Sequence, residues 1–421
     1  MAGYPDSLRR DPVSTTTQAA PTLVTTAATS RVTSVDLIRG LVMVIMAIDH
    51  VRVFSGVPAG GPTPGIFFTR WITHFCAPAF IFLAGTSIGF YARRHTDVSR
   101  YLLIRGLWLI LLELTVLRLS WTFNLDFAHY EMAGVLWVIG CAMILMAALV
   151  KLPAAVNAGF GLVIIAGHNL MDPYIPKLLD GMDTNHLSGL WKILYIGFFA
   201  GPVQFGTNGP NLIVLYSLIP WVGVMAAGYA FAKVLQLEPQ RRNRLCLAIG
   251  LGAIGLFLIL RGFNLYGDPR PWHRMVQSQN GRPSMPALLS FLNCTKYPAS
   301  LNFLLMTLGP MIVAIPFLNS ARGLISRTLV MFGRVPFFFY VLHIPLIHAL
   351  ALVVSKIRLG YVSPWLFANH PMGNPEPPDG YTWSLPLLYL VWAIAVVILY
   401  FACRWFSDLK ARRTDWWLKY L

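Results

Sequence analysis

The chain has 421 residues, 56% of them hydrophobic and only 12% charged, and carries a formal net charge of +16. A soluble domain carries roughly 25% charged residues, and no water-soluble fold hides this much apolar surface. Composition therefore excludes a soluble protein and points to an all-α integral membrane protein.

Residues 1–30 are rich in Thr, Ala and Ser and hold no apolar core, so they read as a disordered arm and not as a signal peptide. Apolar runs close to the ~20 residues needed to cross a bilayer then recur to the C-terminus. They fall near 36–54, 71–91, 103–121, 132–150, 154–171, 211–234, 245–262, 299–319, 329–354 and 386–406. Each must be a helix, because lipid satisfies no backbone polar group. The expectation is a bundle of about ten transmembrane helices over 31–406, followed by a cytoplasmic tail, 407–421. A shorter apolar stretch, 191–200, is read as re-entrant or interfacial.

Basic residues set the orientation. Arg9, Arg10 and Arg31 precede the first span. Arg93, Arg94, Arg100 and Arg105, then Lys151, then Arg241, Arg242 and Arg244, then Arg322 and Arg327, fall on the same side if the spans alternate. Both termini are therefore expected in the cytoplasm. The opposite side carries three long loops near 172–210, 263–298 and 355–385, with Arg270, Arg274 and Arg282 among their residues. The net positive charge is thus a consequence of topology. No basic stripe with interleaved aromatics marks a nucleic-acid surface.

Ionisable side chains inside a span cost ~2.5–3.5 kcal/mol or more when charged, so each needs a partner or a use. The first span holds Asp36, Arg39, Asp49 and His50. At about 100° per residue Asp36, Arg39 and His50 share one face. Arg39 is expected near the cytoplasmic surface and His50 about 16 Å further in. The second span carries His74 ahead of Pro78. The third carries Glu113 near mid-depth and Arg118 further out, five apart and so expected to find their partners elsewhere. His168 ends the fifth span, Asn302 lies in the eighth, and the ninth holds Arg334, Tyr340 and His343.

These residues sort by depth. Arg39, Arg105 and Arg334 lie at the cytoplasmic mouth, while His50, His74 and His343 lie in the middle and outer half. Arginines bind phosphates in bidentate fashion. A histidine titrating near neutrality serves as general base or carries a group covalently. That order suits transfer of a group across the membrane. The rival reading is a proton-coupled transporter for a small solute, using the same histidines and Glu113 as a relay. Against it, the two halves show no internal repeat. Five cysteines without a C-x-x-C and histidines spread over different helices give no metal signature.

The stretch Arg31-Val32-Thr33-Ser34-Val35-Asp36-Leu37-Ile38-Arg39-Gly40, leading to Asp49-His50-Val51-Arg52, resembles the start of the heparan-alpha-glucosaminide N-acetyltransferase catalytic-domain family, in the form carried by its bacterial members. THFCAPAFIFLAGTS, GHNLMD, KYPASLNFLLMTLGP and GRVPFFFYVLHIPLIH resemble later blocks, extending the likeness to about residue 350. The Arg39-to-His50 spacing is also similar to that of a second group of membrane acyltransferases that acetylate sugars on the far side of the membrane. The resemblance implies acetyl-CoA as cosubstrate, an extracytoplasmic sugar or related hydroxyl or amine as acceptor, and a multi-pass protein of the cell membrane, of bacterial inner-membrane type, open to homodimerisation. It implies a catalytic histidine at His50; taken with the depth order, His50 is expected as general base, oriented by Asp49 or His74, with Arg39, Arg105 and Arg334 on the CoA phosphates. One departure matters. In the animal lysosomal member the position matching His50 is asparagine and the catalytic histidine lies in the following loop. Here that loop, Ser55 to Phe68, has no histidine.

Overall fold

The computed structural model describes residues 33–60, 63–176, 187–206, 209–273, 286–373, 375–413, 415 and 418. Arg9, Arg10, Arg31, the expected N-terminal arm, Arg274 and Arg282 lie outside these residues. Thirteen helices matter here: α1 (Thr33–Ser55), α2 (Pro64–Trp71), α3 (Cys76–Ala92), α4 (Val98–Leu112), α5 (Arg118–Thr122), α6 (Val135–Leu149), α7 (Ala154–Gly167), α8 (Leu218–Leu235), α9 (Pro239–Gly262), α10 (Leu301–Leu318), α11 (Leu324–Arg334), α12 (Pro336–Leu359) and α13 (Leu385–Arg412).

Among the described residues, seven helical segments are long and apolar enough to cross a membrane: Pro64–Ala92, Ala154–Tyr174, Leu218–Leu235, Pro239–Gly262, Leu301–Leu318, Pro336–Leu359 and Leu385–Arg412. The other three expected spans are helical but differ in kind. Helix α1 is 23 residues long and carries Asp36, Arg39, Asp49 and Arg52. The third is divided into α4 and α5 by a wide turn of π-helix at Glu113–Leu117. The fourth, α6, is 15 residues long.

Three further expectations are corrected. The chain is not purely helical: β1 (Glu131–Ala133), β2 (Val203–Gln204) and β3 (Asn211–Val214) form a small sheet in the order β1-β3-β2. Strand β3 pairs parallel to β1 and antiparallel to β2, so 211–214 is strand where a span was expected to begin. The span expected at 329–354 is two helices. Proline at 336 lacks an N–H and pushes its predecessor out of the helical region; Val335 sits at φ −126°, ψ 46°. Helix α13 runs past the expected end of its span at 406, to Arg412. The 191–200 stretch forms short helical turns, Leu187–Trp191, Lys192–Ile196 and Gly197–Ala200.

Glycines set the closest approaches between helices. A methyl group at Gly40 on α1 would overlap the carbonyl of Leu329 on α11, and one at Gly333 would overlap the carbonyl of Asp36. The same reciprocal contact joins Gly106 on α4 to Gly140 on α6. Small residues let backbones meet where lipid supplies no hydrophobic drive. The α1–α11 contact matters most, because it fixes where α12 begins and therefore what α12 lays against the C-terminal half of α1.

Candidate active site

The site grows from the crossing of α1 and α12. His343 is fully buried, and its Nδ1 lies 2.5 Å from the carbonyl oxygen of Tyr340 and 3.2 Å from that of Phe339. A carbonyl only accepts, so Nδ1 of His343 carries the hydrogen. In the neutral ring its Nε2 is then a lone pair. Nε2 meets Nδ1 of His50 at 2.6 Å, which must therefore donate. The chain of donors ends with Nε2 of His50 as a free lone pair. The rings stack with centroids 4.8 Å apart, and Trp121 at the end of α5 closes edge-on against His50 at 4.9 Å. Sequence reading had Asp49 or His74 in the orienting role; among the described residues it is His343 that hydrogen-bonds His50.

Asp49 serves a different pair of contacts. Its carboxylate accepts from Nε of Arg52 at 2.8 Å and from Arg70 on α2. Arg52 also donates to the carbonyl of Val57 at 2.9 Å, so this network ties the end of α1 to the start of the next span. His74 is buried, its ring edge-on to Phe303 at 5.4 Å and its Nδ1 without a hydrogen-bond partner among the described residues.

The arginines occupy the other end. Arg39 donates to Asp36 at 3.4 Å, to the carbonyl of Leu83 at 3.2 Å, and to Ser87, joining α1 to α3. Arg105 lies over the ring of Phe337, 4.7 Å from its centroid, and Arg334 is exposed at the end of α11. Arg105 and Arg334 thus flank the α11–α12 break, while Arg39 faces α3.

The remaining candidates hold structure. Glu113 accepts from the backbone N–H of Leu136 at 2.7 Å; its carboxylate sits at the N-terminus of α6, where free N–H groups and the helix dipole favour negative charge. Arg118 donates to the carbonyls of Tyr130, at 3.1 Å, and Asn124. His168 bridges the carbonyls of Ile164 and Ala299, each at 2.9 Å. Asn302 donates to the carbonyl of Tyr266 at 3.0 Å.

Sequence reasoning missed three contributors. Trp121 walls His50. Arg70, three residues ahead of the THFCAPAFIFLAGTS block, carries no role in the sequence reading. Lys296 was quoted in the KYPAS block without a role. Its signal was a lysine flanked by apolar and aromatic residues at the mouth of a span.

No curated protein matches the chain by sequence. The family model described as heparan-alpha-glucosaminide N-acetyltransferase, catalytic, matches residues 31–264. That covers more than half of the chain and includes Arg39, Asp49, His50, Arg70, His74 and Arg105; the blocks that hold Lys296, Arg334 and His343 lie beyond it. The chain belongs to the heparan-alpha-glucosaminide N-acetyltransferase catalytic family of multi-pass membrane acetyltransferases.

Proposed function

We propose that the protein moves an acetyl group from cytosolic acetyl-CoA to a hydroxyl or amine of an extracytoplasmic sugar or related acceptor. The observation that carries this reading is the His50–His343 pair, which leaves Nε2 of His50 unprotonated and half-buried within the first helix of the family. In this reading ten helices cross the membrane and both termini are cytoplasmic, so Arg39, Arg105 and Arg334 face the side that holds acetyl-CoA. Arg105 and Arg334 suit its phosphates, as forked donors do. Arg39 is committed to Asp36 and Ser87 and supports that end of the site through α3.

The chemistry needs one base. Nε2 of His50 takes the proton from the acceptor as its oxygen or nitrogen attacks the thioester carbonyl. The tetrahedral adduct collapses, the C–S bond breaks, and CoA leaves as thiolate. The imidazolium returns its proton to that thiolate. His343 holds the ring and shares the positive charge through the 2.6 Å contact.

Sidedness tests the proposal. Proteoliposomes carrying the protein in one orientation should release free CoA only when acetyl-CoA is added on the side of the termini and an amino sugar is present on the other. Solute uptake without acetyl-CoA, and no CoA release, would instead favour a proton-coupled transporter.

A further inference from the structure

The loops on the outer side cover a cavity of about 140 Å³ whose lining includes Arg70, His74, Arg270, Lys296 and Tyr297 and, among the described residues, no carboxylate. Lys296 is 8% exposed. Among the described residues its ammonium meets only the ring faces of Tyr297, at 5.2 Å, and Tyr216, at 5.9 Å. His74 presents a buried Nδ1 that has no hydrogen-bond partner among the described residues. Arg270 is exposed, with Nε held by Thr295 Oγ1 at 3.0 Å. Arg70 is paired with Asp49, a carboxylate that lies outside the lining and is shared with Arg52.

Asp49 is the carboxylate whose charge reaches Lys296, and it is shared with Arg70 and Arg52; cations that outnumber their carboxylate in a buried place are costly unless something else neutralises the excess. Here an ammonium, a guanidinium and an imidazole nitrogen converge on a space that holds one compact anionic group and a few waters. The site is next to the chemistry: Arg70 in its wall holds Asp49, the neighbour of His50 in the chain.

We infer that this cavity binds an anionic group of the acceptor, a carboxylate, sulfate or phosphate, and that Lys296 selects for it. The inference rests on the acetyltransferase reading for the word acceptor, and its test is chosen to stand apart from that reading. Thermal unfolding of the purified protein in a neutral detergent is followed against glucuronate, inorganic sulfate and glucose at constant ionic strength. Glucuronate and sulfate should raise the unfolding temperature and glucose should not. Lys296→Gln should weaken the apparent affinity for glucuronate by at least about tenfold, and Lys296→Arg should keep most of it. Acetyl-CoA binding, measured in the same preparations, should be equal in the wild type and in both variants, which shows them folded. Equal stabilisation by glucose, or anion stabilisation that Lys296→Gln leaves intact, overturns the inference. So does stabilisation by phosphatidylglycerol in nanodiscs with none by glucuronate or sulfate, which assigns the cavity to a lipid headgroup. Loss of acetyl-CoA binding by the wild type, with anion binding intact, strikes the acetyltransferase reading instead.

Discussion

His50 on α1 and His343 on α12 meet nitrogen to nitrogen at 2.6 Å across 293 residues of sequence. Because the Tyr340 carbonyl fixes the proton on Nδ1 of His343, the direction of this bond is set and His50 is held as a base. His343→Ala should lower acetyl transfer by about 100-fold, the scale at which a positioned base or its orienting partner counts. His343→Gln, whose side-chain oxygen can still accept from His50, should recover part of the loss. A shift in the pH–rate profile that Gln restores and Ala does not is the mark of an orienting role; equal, pH-independent losses in both would mark a packing role.

The Asp49 network makes a claim about stability. Its side chain and that of Arg70 are each 15% exposed. Asp49→Asn leaves Arg70 and Arg52 without their shared carboxylate, a change expected to cost about 3 kcal/mol. Thermal unfolding in detergent should show it, and adding Arg70→Gln should return part of the loss, because the two sites are coupled. Additive losses would mean that the ion pair contributes nothing.

Glu113 separates the enzyme from the transporter. As the partner of the Leu136 N–H it needs an acceptor oxygen, not a proton. Glu113→Gln should keep transfer within about twofold, while Glu113→Ala should cost about 1 kcal/mol in stability, as the loss of a helix cap does. Abolished function in a stable Gln variant would support a proton relay.

Glu131 on β1, outside the membrane-spanning segments, has its carboxyl pushed up to about 7 by burial, with Arg118 opposing. A raised acid pKa means that the folded state holds the proton more tightly than the unfolded one. Between the ordinary value of 4.5 and about 7 the folded chain binds more protons, so stability falls as pH rises through that window. The unfolding temperature should decline from pH 5 to 7, and Glu131→Gln should flatten that decline. A slope that the variant leaves unchanged would place its origin elsewhere.

Much of this architecture is written locally and so could be read from the sequence. Seven of the ten apolar runs correspond, among the described residues, to helices long and apolar enough to cross a bilayer, because the bilayer demands length and internal hydrogen bonding, and in-span polar groups such as Asp49 and His50 declare themselves by their cost. What was hidden is long-range or small. Nothing near residue 343 says that its ring meets residue 50. The π-helical turn at Glu113–Leu117 arises where α4 must aim Glu113 at α6. The break before Pro336 was legible in the proline, but the apolar run across it masked the end of α11. The three-residue strand Glu131–Ala133 exists only because β3 returns beside it.

The most direct measurement is turnover of acetyl-CoA by the purified protein in nanodiscs, wild type against His50→Ala, with acetyl-CoA binding measured on the same samples. The account predicts that both bind acetyl-CoA with similar affinity and that only the wild type releases free CoA when an acceptor amine is present. A His50→Ala variant that binds and turns over acetyl-CoA as the wild type does would contradict the assignment of His50 as the base.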